Sequence, residues 1–217
     1  MCLRTENDYS IQSTKIKHLF LNQRMSKYDI ILAMKLIIVR HGETIDNLNH
    51  ILMGKTDGEL TQKGIEQSKE VGRHLKEHHP IDMVFCSPLG RCVDTLNNIL
   101  EECPIEGEIF MSKLIEERDF GEYEGTSMSG INWGEIDKDG KINREMGVES
   151  WNDVKKRVEL FLEDLKLEDG EKTVLIVSHA GPIRVMMGKL TGKEIGFEET
   201  VDNGSIHEFD YDTELEY

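Results

Sequence analysis

The sequence predicts an α/β fold in three layers: a mostly parallel central sheet, helices on both faces, and a small excursion covering one end. Three observations carry this. The runs "KLIIV" (35–39) and "TVLIV" (173–177) are continuously apolar, as strands buried on both faces are. Amphipathic segments with helical spacing lie between the strands. Strands also break abruptly into polar residues, in "VRHGET", "CSPLGRC" and "VSHAGPIR".

The elements follow in chain order. After the strand at 35–39, Thr61 caps a helix running to about His78, with Ile65, Gly72 and Leu75 on one side. "DMVFC" (82–86) is a short strand. Ser87 and Pro88 then suit the N-cap and first position of a helix reaching about Glu101, with Val93, Leu96, Ile99 and Leu100 inward. A weaker strand covers 105–111. Ser150 with Asp153 resembles a capping box, opening a helix from Trp151 to about Leu167 on which Val154, Val158, Phe161, Leu162 and Leu165 share a face. After the strand at 173–177, Gly181-Pro182 begins a helix ending near 190–192. "SIHEFDYD" (205–212) alternates as an edge strand does.

Residues 1–33 show no clean period and read as an N-terminal extension, disordered or created by an upstream start. The working domain is expected at 34–217. The chain of 217 residues is 38% hydrophobic and 31% charged, as in globular proteins. Its 42 acidic side chains outnumber 26 basic ones, a formal charge of −16 that repels nucleic acid and anionic membranes. No apolar run is long enough for a membrane helix, and no secretory signal is visible. The cysteines, Cys2, Cys86, Cys92 and Cys103, form no Cys-x-x-Cys pair; Cys86 and Cys92 read as buried thiols. A cytoplasmic location fits.

Ligands of open parallel sheets bind beyond the strands' carboxyl ends. Were the three strands with polar ends neighbours, one crest would gather Arg40, His41, Arg91 and His179, beside helix N-termini that favour anions. Arginine's planar fork fits phosphate oxygens. Cationic neighbours lower a histidine's pKa, and a neutral imidazole can attack phosphorus. A second histidine, if protonated, could stabilise the transferring group. Alone, each piece is ordinary, since a histidine after a strand is more often a turn or core residue. Their repeated strand-end placement is the signal.

The stretches "RHGETIDN", "GKTDGELTQKGIEQSKEVG", "SPLGRCVDT", "LIEERDFGEYEG", "GVESWNDVKKRV", "VSHAGPIR" and "DNGSIHEFDYD" together resemble the histidine phosphatase superfamily, in its phosphoglycerate mutase-like branch. The resemblance implies a phosphohistidine on His41, with Arg40, Arg91 and His179 cradling the phosphoryl group. It matches Asn47 and the backbone N–H of Ala180 to phosphate contacts. It matches Glu117 to the proton donor, four residues before Gly121; Glu116 is one step off register. Gly42 reads as room for phosphate and backbone to approach. Met53 and Gly54 fall on the ligand-facing wall, with Met53 where a polar residue is common. Ala180 stands where glycine is common, and Tyr123 where tryptophan is frequent.

A phosphomonoester hydrolase acting on a small phosphorylated metabolite is expected: a sugar phosphate, α-ribazole phosphate or a broad range. It needs neither cofactor nor metal. The alternative is a phosphoglycerate mutase dependent on 2,3-bisphosphoglycerate. Glu117-Arg118 resembles a mutase pair, but the segment after it is short, acidic and glycine-rich, with Lys138, Lys141 and Arg144 arriving late. An inactive phospholigand-binding protein is less consistent, since every expected catalytic position is filled. The excursion 126–147 is expected to cover the site, with Trp133 and Ile131 as apolar anchors. His78-His79 reads as a solvated helix end rather than a metal-ligand pair. A monomer or homodimer is expected; the charge on "SIHEFDYD" discourages edge pairing.

Overall fold

The computed structural model describes residues 33–136, 145–166, 171–193 and 199–212. Of the expected extension at 1–33, all but Ala33, which opens the first strand, lies outside the described residues, as do the late basic residues Lys138, Lys141 and Arg144.

The elements are β1 (Ala33–Arg40), α1 (Ile45–Leu48), α2 (Gln62–His78), β2 (Met83–Cys86), α3 (Gly90–Glu102), β3 (Glu108–Met111), α4 (Trp133–Ile136), α5 (Trp151–Leu165), β4 (Thr173–Ser178), α6 (Ala180–Thr191) and β5 (Ile206–Asp212). The five strands lie in the order β3-β2-β4-β1-β5. β1, β4, β2 and β3 pair in parallel, and β5 joins the β1 edge antiparallel. The three strands with polar ends are therefore neighbours, and their carboxyl ends form one crest.

Alternation along β1 divides the core. Met34, Leu36 and Ile38 face α5 and α6, against Val154, Phe161 and Ile183. Ile37 and Val39 face α2 and α3, against Val71, Leu75, Leu96 and Ile99. A strand turns successive side chains to opposite faces, so one run of apolar residues supplies both layers. This is the expected three-layer arrangement.

Several details differ from the expectation, among them β3, which spans Glu108–Met111 rather than 105–111. The buried stripe of α2 is Gly64, Ser68, Val71, Gly72 and Leu75, leaving Ile65 only half-buried. α3 starts at Gly90, with Leu89 as N-cap, rather than at Ser87-Pro88. The Ser87 hydroxyl lies 2.8 Å from His179 Nε2 instead, so the candidate cap is diverted into the site. Ser150 caps α5 as expected, accepting from the Asp153 amide at 3.1 Å. Its hydroxyl in turn donates to the Asp153 carboxylate, so Asp153 does not return a bond to the Ser150 backbone as a full capping box would.

Candidate active site

A cavity of about 440 Å³ opens at the crest. Arg40 and His41 reach it from the end of β1, Asn47 from α1, and Arg91 from the first turn of α3. Glu117 enters from the loop after β3, and Ala180 from the first residue of α6. Met53 and Gly54 form part of the wall. His179 is fully buried, packed behind His41 with ring centres 5.2 Å apart, and does not line the cavity.

The His41 tautomer follows from one bond. Nδ1 lies 2.8 Å from the Gly42 carbonyl, which can only accept, so Nδ1 carries the proton and Nε2 keeps its lone pair. Burial holds the His41 pKa well below its ordinary value, and the guanidiniums of Arg40 and Arg91 push it further down. Gly42 donates its amide to Thr95 Oγ1 at 2.9 Å. A Cβ on Gly42 would collide with the Gly64 carbonyl, so the space there admits the start of α2. The expected close approach of backbone at Gly42 is thus met by the Gly64 carbonyl, while Gly42 itself does not line the cavity.

His179 is also held neutral, by burial first and then by Arg91, His41 and Arg40. Its Nδ1 accepts from Arg91 Nε at 3.2 Å, which places the ring proton on Nε2, facing Ser87. A protonated second histidine is thus not what the structure holds. A guanidinium always donates, so its partner nitrogen must accept. Arg91 is fixed on every side: Nη1 donates to the Thr56 carbonyl at 2.7 Å and Nη2 to that of Gly54 at 2.6 Å. Arg40 donates through Nη1 to the Val201 carbonyl, while its buried Nε has no hydrogen-bond partner among the described residues. A buried donor without an acceptor is costly, and an anion oxygen would satisfy it.

Asn47 is oriented by two donors. Its Oδ1 accepts from the Thr44 amide at 3.2 Å and from Asn203 Nδ2 at 3.1 Å, leaving its amide hydrogens for a ligand. Asn203 also donates to the His41 carbonyl at 3.1 Å.

Glu117 is positioned through its backbone. Arg157 of α5 donates to the Glu117 carbonyl at 3.1 Å and the Leu114 carbonyl at 2.9 Å, and is itself bonded to Glu149 at 2.7 Å. The Glu117 carboxylate accepts from the Arg118 amide at 2.9 Å and the Gly181 amide at 3.3 Å. A Cβ at Gly181 would strike that carboxylate. Glu116 lies off the cavity, paired with Lys55 at 3.4 Å. The helix N-termini at the crest already hold carboxylates: Asp57 accepts from the Gly90 amide at 2.9 Å, and Glu117 serves α6.

Leu52, Met53, Phe120, Met128, Trp133 and Trp151 make the remaining wall largely apolar. Trp133 reaches it from the excursion as expected, edge-on to Phe120, whereas Ile131 does not. Arg118 lies at 5.3 Å from the Phe120 ring centre and donates to the carbonyls of Glu149 at 2.8 Å and Ile136 at 3.0 Å. Arg184 of α6 also lines the cavity. The sequence alone does not single out Arg184, Asn203 and Arg157. Each lies inside a matched stretch, "SHAGPIR", "DNGS" or "KKRV", and that placement was the available signal.

A family model described as Histidine phosphatase superfamily (branch 1) matches residues 36–216. Phosphoserine phosphatase 1 of Hydrogenobacter thermophilus is 30% identical over 171 residues, covering 75% of this chain and 78% of that protein. A 2,3-bisphosphoglycerate-dependent phosphoglycerate mutase of Bradyrhizobium sp. is 38% identical over 104 residues; the match spans 46% of this chain and only 50% of that relative's length. The crystal structure of phosphoserine phosphatase in complex with 3-phosphoglyceric acid from Entamoeba histolytica aligns with a TM-score of 0.67 at 28% identity, covering 83% of this chain and 95% of that one. The match from residue 36 to 216, on a sheet whose crest gathers the expected side chains, shows that the chain belongs to the histidine phosphatase superfamily, branch 1.

Proposed function

We propose that this protein is a phosphomonoester hydrolase that works through a phosphohistidine on His41, without a metal ion. One observation carries the reading: a neutral His41, its Nδ1 tied to the Gly42 carbonyl, shares a cavity with Arg40, Arg91 and the Glu117 carboxylate.

In the first step the Nε2 lone pair attacks phosphorus and the ester P–O bond breaks. Glu117 gives its proton to the departing alkoxide, which leaves slowly without one. Arg40 and Arg91 balance the charge on the phosphoryl oxygens. In the second step the Glu117 carboxylate takes a proton from water, the hydroxide attacks phosphorus, and the N–P bond breaks. Phosphate leaves with His41 neutral again. His179 is the positioning residue that holds Arg91 Nε; the amide of Asn47 and the N–H of Ala180 complete the phosphate contacts.

The apolar wall of Leu52, Met53, Phe120, Met128, Trp133 and Trp151 favours esters with an apolar or aromatic portion over a small polyanion. Arg118, bonded to two backbone carbonyls, is held in the wall rather than poised for a substrate carboxylate. Both points favour hydrolysis over phosphoglycerate mutation. The test is a metal-free panel of p-nitrophenyl phosphate, sugar phosphates, α-ribazole phosphate, phosphoserine and 3-phosphoglycerate, with and without 2,3-bisphosphoglycerate. Release of inorganic phosphate, fastest from aryl esters, is expected. Bisphosphate-stimulated interconversion of phosphoglycerates without phosphate release would overturn the reading.

A further inference from the structure

We propose that His74, His79 and Glu208 form a binding site for a divalent ion of the zinc class, fastening the C-terminal end of α2 to the edge strand β5. The site lies apart from the cavity, none of whose lining residues it shares.

The geometry begins at the end of α2. His79 is the C-cap, with an extended backbone (φ −141°, ψ 114°) that turns it off the helix. Its Nε2 lies 3.0 Å from Glu208 Oε1, and His74 Nε2 lies 3.8 Å from the same oxygen. One candidate ligand atom from each side chain falls within 4.8 Å of the others. A tetrahedral ion with bonds of about 2.1 Å keeps its ligand atoms about 3.4 Å apart. The cluster needs only a modest contraction to reach that geometry.

The surroundings favour an ion rather than a chance contact. Ile206 packs with the α2–α3 layer, and alternation places Glu208 on that same side of β5. Glu208 Oε2 is engaged by Lys35 at 3.4 Å, which leaves Oε1 for the histidines. His78 stacks on His74 at 4.5 Å between ring centres, and its Nδ1 lies 2.9 Å from the His74 carbonyl, holding the pair in place. Two imidazoles and one carboxylate are a donor set that suits zinc, cobalt or nickel, with a fourth position for water. The chain's charge of −16 adds a favourable field for a cation.

Such an ion would join two elements that also support the candidate nucleophile loop from their other ends. α2 begins beneath Gly42, and the segment before β5 carries Val201 and Asn203, the partners of Arg40 and His41. Its effect is expected on stability, because an ion bound only by the folded chain stabilises it in proportion to ligand excess.

The experiment uses tag-free full-length protein, stripped of metal by chelator and dialysed. Calorimetric titration with zinc chloride is expected to show one equivalent bound, with a melting temperature that rises with zinc. Cobalt chloride should give visible absorption bands of a tetrahedral site. His79→Gln and Glu208→Gln should each abolish the bands and the thermal shift while keeping the near-UV circular dichroism of the parent. Should either fail to fold, His74→Asn serves in its place. Zinc that leaves the parent's melting temperature unchanged, or binds parent and variants alike, would overturn the proposal.

Discussion

His41 and His179 lie with ring centres 5.2 Å apart, both enclosed by the fold. His74, His78 and His79 gather at similar spacing, 4.5 to 6.2 Å, but at the rim of the sheet. What differs is the company each group keeps. Beside the buried pair stand Arg40 and Arg91, and together with burial they hold both rings neutral. Beside the rim histidines stands the carboxylate of Glu208, an acceptor and the third ligand of the proposed ion site. The same side chain becomes a candidate nucleophile where cations and low dielectric surround it. It becomes a candidate cation site where a carboxylate does.

The largest expected effect is at the buried pair. His41→Ala should lower turnover of p-nitrophenyl phosphate by about 10⁴-fold or more, the scale seen when a covalent nucleophile is removed. The steady-state assay must be paired with circular dichroism showing a native fold. Next, in single turnovers that read only transfer to His41, Glu117→Gln should cost about 10² to 10⁴-fold with alkyl phosphates and much less with p-nitrophenyl phosphate, whose leaving group needs no proton. Equal losses on both substrates would remove Glu117 from the acid role. Gly181→Ala should displace that carboxylate and cost about 10²-fold in kcat, the scale of a small misplacement, with KM little changed.

A pH series reads the buried pair through stability. His41 and His179 have folded pKa values well below the ordinary 6.5, so between those values the unfolded chain binds more protons than the folded one. Stability is full above about 6.5 and falls as pH drops below it, by about 1.4 kcal/mol per unit for each histidine. Urea midpoints from pH 8 to pH 5 check this, and His41→Asn should flatten the slope. The smallest effect is at the rim: without metal, His79→Gln should shift stability by about 0.5 kcal/mol or less and leave turnover unchanged.

The sheet was legible because apolar runs such as "KLIIV" and "TVLIV" carry their own burial signal, and strand-end polar residues mark a crest in any parallel arrangement. His41, Arg40 and Arg91 could be gathered on that logic. Glu117 came only from family register, since its loop holds acidic neighbours of equal local rank. In sequence Ser87 has the signature of a cap, a hydroxyl before proline; only the fold brings His179 within its reach. Asn203 and Arg157 were hidden for a similar reason, as each acts on backbone carbonyls far away in sequence. The rim cluster was hidden by distance too: Glu208 lies 129 residues from His79.

Covalent transfer to His41 leaves a phosphohistidine that can be trapped. Protein mixed with a radiolabelled phosphomonoester is quenched in alkali within one turnover, digested and mapped by mass spectrometry. A phosphoryl group that is stable in alkali, labile in acid and confined to the His41 peptide is the predicted result. Turnover at full rate with no label on His41, or label that persists in His41→Ala, would contradict the account.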